Sequence, residues 1–269
     1  MLPPTLSSGA VRRIKVAVIG DVHGNLPALE AVLDAVRQDD ADVTVCLGDL
    51  AWKGTFPSEC VARIRDLGCR CVCGNGDLYL IAAAGLPVPY AMPEFSAESW
   101  RLAGPYLRWH TERLGSQDLD YLAALPFEVR LADERGRQLL FVHGTPQDCF
   151  AGITAGMPAD ALDQTVTPTG ADWLVVGHTH IPLVMSWRKT VIFNPGAIGC
   201  SLDGNWHAAY GILDTLTGST SIKRVPYDVE GTLRAADDRD FCFPKDEYRN
   251  ALTGGMWTPK PWRERACCG

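Results

Sequence analysis

Apolar positions recur along the first third of the chain with two alternating patterns. Ile14 to Ile19 is a short apolar run closed by Gly20, the mark of a buried strand. Leu29, Val32, Leu33 and Val36 then fall at i, i+3, i+4 and i+7, one face of a helix. Asn25 is placed to cap that helix, and Pro27 is tolerated in its first turn. Val43 to Leu47 predicts a second strand, Ser58 to Leu67 a second amphipathic helix, and Cys69 to Cys73 a third strand. This β-α-β-α-β order predicts a parallel sheet with crossover helices.

The pattern then changes. Residues 82–125 read as helices broken by Pro87, Pro89, Pro93, Gly104 and Pro105. From Phe127 short strands dominate: Phe127 to Leu131, Leu139 to Val142, Trp173 to Val176, Val184 to Ser186, Val191 to Phe193, Tyr210 to Leu213 and Ser221 to Val225. No repeat or low-complexity linker interrupts them. One α/β domain is predicted over residues 14–237, with a helical insertion at 82–125. It is preceded by an arm, residues 1–13, and followed by a tail or edge cover, residues 238–269.

A chain of 269 residues with a 46% hydrophobic share is long enough to bury a sizeable core. Its net charge of −7 argues against a broad nucleic-acid surface, which needs a basic face, but leaves room for a small anion in a local pocket. No apolar stretch is long enough to span a membrane, and no signal-peptide pattern precedes Ile14, so a cytoplasmic setting is expected. The ten cysteines contain no Cys-x-x-Cys pair and read as reduced, packed side chains, with Cys267 and Cys268 in the tail.

Five short motifs carry the chemistry, each directly after a predicted strand. They are Gly20-Asp21-Val22-His23-Gly24-Asn25, Gly48-Asp49, Gly74-Asn75-Gly76-Asp77, His143-Gly144 and Gly177-His178-Thr179-His180. Strand C-terminal ends are where open α/β sheets place ligands, so the five loops are expected to converge. Their side chains form a metal-ligand set without cysteine, suited to Mn, Fe, Zn, Co or Ni. That set is too large for one zinc-like site, so two divalent metal ions sharing a carboxylate is the economical reading. Taken singly each motif is weak: Gly48-Asp49 alone reads as a turn, and His143 alone as a partly buried histidine.

In these motifs the sequence resembles the calcineurin-like metallophosphoesterase superfamily, most closely its small bacterial and archaeal phosphodiesterase-like branch. The likeness runs from Ile14 to about Gly199 and includes the Asn194-Pro195-Gly196-Ala197 turn. It implies a four-layer α/β/β/α sandwich. It further implies that Asp21, His23 and His180 bind one metal, that Asn75, His143 and His178 bind the other, and that Asp49 bridges them. Manganese is the first expectation for both. The family often carries a histidine after the motif asparagine, where this chain has Gly76; that imidazole is thought to assist the leaving group. A Gly76→His variant is therefore expected to help esters with poor leaving groups more than those with good ones.

Candidate neighbours of the substrate are Asp77, Trp52 and Tyr79, close in sequence to ligand loops, and His110, which, like His207, could replace the missing imidazole in space. Trp100, Tyr106 and Trp109 of the insertion are candidate walls, although their near-helical spacing favours packing. The expected activity is that of a phosphodiesterase, metal-dependent hydrolysis of a small phosphate ester, nucleotide-like esters included, using a metal-bound hydroxide. The alternatives are a small-metabolite phosphomonoesterase and a non-catalytic interaction scaffold of the same fold. Oligomeric state is not legible in the sequence.

Overall fold

Strand β1 (Lys15–Ile19) buries both of its faces, which is why it reads as an unbroken apolar run and not as an alternation. Val16 and Val18 enter one apolar cluster, Ala17 and Ile19 another. The computed structural model describes residues 14–94 and 96–253. The arm 1–13 and residues 254–269, Cys267 and Cys268 among them, lie outside the described residues.

Strand β1 pairs in parallel with β2 (Val43–Cys46), which pairs in parallel with β3 (Arg70–Cys71). On its other side β9 (Ala208–Asp214) runs antiparallel to β1, and β10 (Ser219–Val225) antiparallel to β9. The second sheet has the order β4 (Glu128–Ala132), β5 (Gln138–Val142), β6 (Trp173–Val175), β8 (Thr190–Asn194), β7 (Leu183–Trp187). Its three inner strands are mutually parallel, and β4 and β7 are antiparallel edges.

The sheets meet through Val16, Val18, Val45 and Leu47 on one side and Phe141, Val175 and Phe193 on the other. Helices α1 (Leu26–Gln38) and α2 (Pro57–Leu67) cover the outer face of the first sheet. Helix α6 (Ala159–Thr165) contributes Leu162 to the outer face of the second. The result is the α/β/β/α sandwich. No helix of the described residues is long and apolar enough to cross a membrane.

Three local expectations are corrected. The third strand pairs only at Arg70 and Cys71, because the chain then leaves the sheet and Cys73 N–H donates to the Pro126 carbonyl instead. The insertion begins earlier than residue 82: α3 (Asn75–Ala83) starts on the ligand loop itself and leads to α4 (Ala97–Thr111) and α5 (Ser116–Ala123). Helix α4 is also not broken at Pro105. Pro105 and Arg101 are both exposed, so the Arg101 carbonyl that loses its donor can turn to water.

Helix α7 (Val229–Asp238) ends the predicted domain, and the segment expected as a tail or edge cover forms α8 (Lys245–Leu252) within its described part. Leu233, Phe243, Tyr248 and Leu252 make a satellite core against Tyr106 of α4. The Trp109 indole donates to the Asp240 carbonyl at 2.9 Å, so Tyr106 and Trp109 pack against the C-terminal helices.

The distance between the sheets depends on Gly211 of β9, where an added Cβ would lie 2.4 Å from the Phe193 ring. Gly211→Ala should therefore cost about 1–3 kcal/mol by overpacking. Denaturant unfolding checks this; a variant as stable as the parent would show that the sheets are not held at that spacing.

Candidate metal centre

The five ligand loops leave the C-terminal ends of β1, β2, β3, β5 and β6, and both sheets present those ends to one side. Backbone bonds tie the loops to each other before any side chain is considered. The amides of Asp21, His23 and Gly24 donate to the carbonyls of Gly48, Asp49 and Leu50 at 2.9–3.0 Å. Ile198 and Gly199 donate to the carbonyls of Gly20 and Asp21. The buried Asn194 side chain donates to the Gly177 carbonyl and to Thr179 Oγ1, fixing the last loop through the Asn-Pro-Gly turn.

These loops carry local strain. Asp21, His23, Asp49, His178 and His180 all have positive φ, between 48° and 66°. Such backbone costs on the order of 1 kcal/mol or more per residue without glycine, and it persists only where the surroundings enforce it. Here it turns successive side chains inward to a common point.

The imidazoles are aimed by carbonyls. His23 Nδ1 donates to the Trp52 carbonyl at 2.9 Å, His143 Nδ1 to Leu47 at 2.7 Å, and His180 Nδ1 to Cys200 at 2.5 Å. A carbonyl only accepts, so each Nδ1 carries a proton and each ring turns its Nε2 inward. His23 Nε2 and His180 Nε2 then face each other at 2.9 Å. Asp21 Oδ1, 3.4 Å from His180 Nε2, is buried and has no hydrogen-bond partner. Two facing lone pairs beside a carboxylate oxygen require a proton or a metal ion between them. The donor set fits a divalent cation.

Asn75 makes the second meeting point. Its carboxamide oxygen lies 2.9 Å from His143 Nε2 and 2.8 Å from His178 Nδ1. Asp49 stands between the two groups, with Oδ2 3.6 Å from His23 Nε2 and Oδ1 3.7 Å from His143 Nε2. Among the described residues, Asp21 with His23 and His180, and Asp21 with Asp49 and His143, are close enough to share an ion. Asp21, His23, Asp49, His143 and His180 are buried, whereas Asn75 and His178 are half-buried, so the centre opens on their side.

The electrostatics follow from burial and mutual contact. Burial alone would raise the Asp21 carboxyl, but His180 beside it, with His143 and His23, holds it well below the usual carboxylate range. Burial likewise opposes charge on His180, yet Asp21 raises it to about 10. Burial, then the Lys53 ammonium and His180, push His23 down to about 3. His180 therefore holds a proton where an ion would sit. A metal binds there by displacing it.

The remaining sequence candidates take different positions. Asp77 is fully buried, and its carboxylate accepts from the amides of Asp49, Leu50 and Gly74, each at 2.9 Å. Burial and the Asp49 charge push it up to about 7 against those donors. It locks the second loop to the third and does not face a substrate. Trp52 and Tyr79 are half-buried near the opening, ring centroids 4.9 Å apart, with Phe150 5.5 Å beyond Tyr79. His110 stands apart: Nδ1 donates to the Tyr106 carbonyl at 2.7 Å and Nε2 accepts from the Lys53 amide at 3.1 Å. Burial pushes it down to about 4. Both nitrogens are occupied, so it does not replace the missing imidazole. His207 lies in the loop before β9 with its ring against Trp206.

The Gly76 amide donates to Asp49 Oδ1 at 2.6 Å, and a Cβ at Gly76 would lie 2.9 Å from that oxygen. A side chain placed there requires a shift of the Asp49 carboxylate. Sequence reasoning missed the orienting carbonyls of Leu47, Trp52 and Cys200, which no side-chain motif can signal. Asn194 was visible only as part of a turn.

A site of paired histidines and carboxylates at the strand ends of a double-sheet sandwich defines a metal-dependent hydrolase fold. The chain belongs to the calcineurin-like phosphoesterase superfamily, whose domain model matches residues 14–218. It is similar to an uncharacterized protein of Methanocaldococcus jannaschii, 30% identical over 80% of this chain and 88% of that one. It is also similar to phosphodiesterase YfcE of Escherichia coli, 23% identical over 75% of this chain and 88% of that one. A metallophosphoesterase from Sphaerobacter thermophilus aligns in structure with a TM-score of 0.72 and 27% identity, over 90% of this chain and 99% of that one. These likenesses place the chain in the small bacterial and archaeal branch and support phosphoester hydrolysis.

Two measurements follow. Mn²⁺ at about 100 times its Kd should stabilise the protein by about 2.7 kcal/mol, a Tm rise of about 5–11 °C for a chain of this size. An unchanged Tm would mean that the strained loops do not bind the ion. Gly76→Ala should weaken metal binding about 10- to 100-fold by displacing a carboxylate held by its outer contacts. Calorimetric titration reads this directly, and parental affinity would refute the packing argument.

Proposed function

We propose that the protein is a phosphodiesterase that uses two divalent metal ions, manganese first among them, to hydrolyse small phosphate esters. The observation that carries this reading is the confrontation of His23 Nε2 and His180 Nε2 beside the unpartnered Asp21 oxygen. Asp21, His23 and His180 would hold one ion, and Asn75, His143 and His178 the other, with Asp49 between them. Bound there, such ions would lower the pKa of water and neutralise charge on a phosphoryl oxygen.

The chain's own residues supply orientation. Carbonyls lock three imidazoles in one tautomer, and the Gly76 amide fixes the Asp49 carboxylate. Position 76 offers no side chain to protonate a departing oxygen, which favours esters whose leaving groups are already good. Family membership supports phosphoester hydrolysis, and the likeness to YfcE supports a diester as substrate. The half-buried Trp52 and Tyr79 support a substrate with a flat, nucleotide-like or aryl group.

The test is hydrolysis of bis(p-nitrophenyl) phosphate and of p-nitrophenyl phosphate with Mn²⁺, Fe²⁺, Zn²⁺, Co²⁺ or Ni²⁺. The diester is expected to turn over faster, with Mn²⁺ among the activating ions. Faster monoester turnover would overturn the diester assignment, and no turnover with any metal would overturn the reading as a whole. Asp49→Asn should lose both ions by elemental analysis. Two tightly retained ions in that variant would show that Asp49 does not bridge.

A further inference from the structure

The carboxamide of Asn75 has two ends of similar shape, and only the oxygen can serve a metal ion. That oxygen lies 2.9 Å from His143 Nε2 and 2.8 Å from His178 Nδ1. Turned over, the carboxamide would lay its amide against the same two nitrogens and close the space an ion would take. The outward end therefore needs a partner of its own. Asn75 is the first residue of α3, and Tyr79 follows one turn later on the same face of the helix. The Asn75 side chain donates a hydrogen bond to the Tyr79 hydroxyl. The Tyr79 ring is gripped in turn from two other ligand loops. Trp52, after β2, meets it at 66° with centroids 4.9 Å apart, and Phe150, after β5, at 72° and 5.5 Å.

Resting on the two-ion reading above, we propose that Tyr79 is a positioning residue for the ion at Asn75, His143 and His178. Its hydroxyl accepts from the Asn75 amide and keeps the carboxamide oxygen turned toward the two imidazoles. The phenol does not itself join the ligand set. It acts on Asn75 as the carbonyls of Leu47, Trp52 and Cys200 act on the histidines, by taking a proton that faces away from the ion. The source of the restraint differs. Those carbonyls belong to the main chain, whereas the Tyr79 hydroxyl is held in place by the packing of its ring between Trp52 and Phe150. Trp52 thereby serves both halves of the centre, His23 through its carbonyl and Asn75 through its ring.

Stepwise calorimetric titration of the metal-free protein with Mn²⁺ tests this without turnover. The binding step lost in His178→Ala identifies the ion that Asn75 would hold. Tyr79→Phe keeps the ring and loses the acceptor. It should weaken that ion about 10- to 100-fold, the usual worth of an outer partner of a ligand, and leave the other ion at parental affinity. Tyr79→Gln loses the ring but keeps an acceptor within reach of a residue one turn away, so it should hold that ion more tightly than Tyr79→Phe does. A packing role alone requires the opposite order, because only the phenylalanine conserves the ring contacts. Parental affinity for both ions in Tyr79→Phe, equal weakening of both, or no tighter binding in Tyr79→Gln than in Tyr79→Phe would each overturn the role of Tyr79. A parent protein that binds a single ion would instead overturn the two-ion reading.

Discussion

The centre of this protein is organised by a constraint on hydrogen bonds. Three imidazoles each donate an Nδ1 proton outward to a main-chain carbonyl, and so each turns its Nε2 inward. Among the described residues, only a proton on one ring satisfies the space between His23 and His180. The rest of the structure serves to hold that unsatisfied geometry. Parallel strands from two sheets deliver the loops to one side, and interloop amide–carbonyl bonds extend the order of the sheets beyond their ends. Left-handed backbone at five of the ligand residues turns their side chains together.

Two buried polar side chains outside the ligand set make this possible. Asp77 collects three amides and joins the second loop to the third, while Asn194 joins the last loop to the strand behind it. Both are fully buried, where an unpaired polar group would be costly, so each acts as a fixed strut. Their placement explains why residues next to a motif in sequence need not border the substrate. Asp77 is two positions from Asn75, yet its carboxylate points back into the protein.

The sheets and the first two helices were legible because their burial is periodic: β1 and α1 each show one clear pattern. The ligand loops were legible because glycine and polar residues follow each strand. Less could be read of the insertion. The continuity of α4 through Pro105 depends on that residue being at the surface, and the start of α3 on Asn75 depends on Asp77 accepting the Gly74 amide. The helices α7 and α8 gain their burial from Tyr106, more than a hundred residues earlier, which no local window contains. The same limit applied at Gly76. The sequence showed a missing imidazole, but only the packing shows that a Cβ there would press on the Asp49 carboxylate.

Charge gives the last step. The chain carries a net −7, yet two dications beside Asp21 and Asp49 would leave the centre at about +2 before any substrate arrives. An acidic surface with one cationic recess disfavours long polyanions, which would have to lie across the surface around it, and admits a small ester that fits within the recess. Selection for size would then follow from the contrast between surface and site.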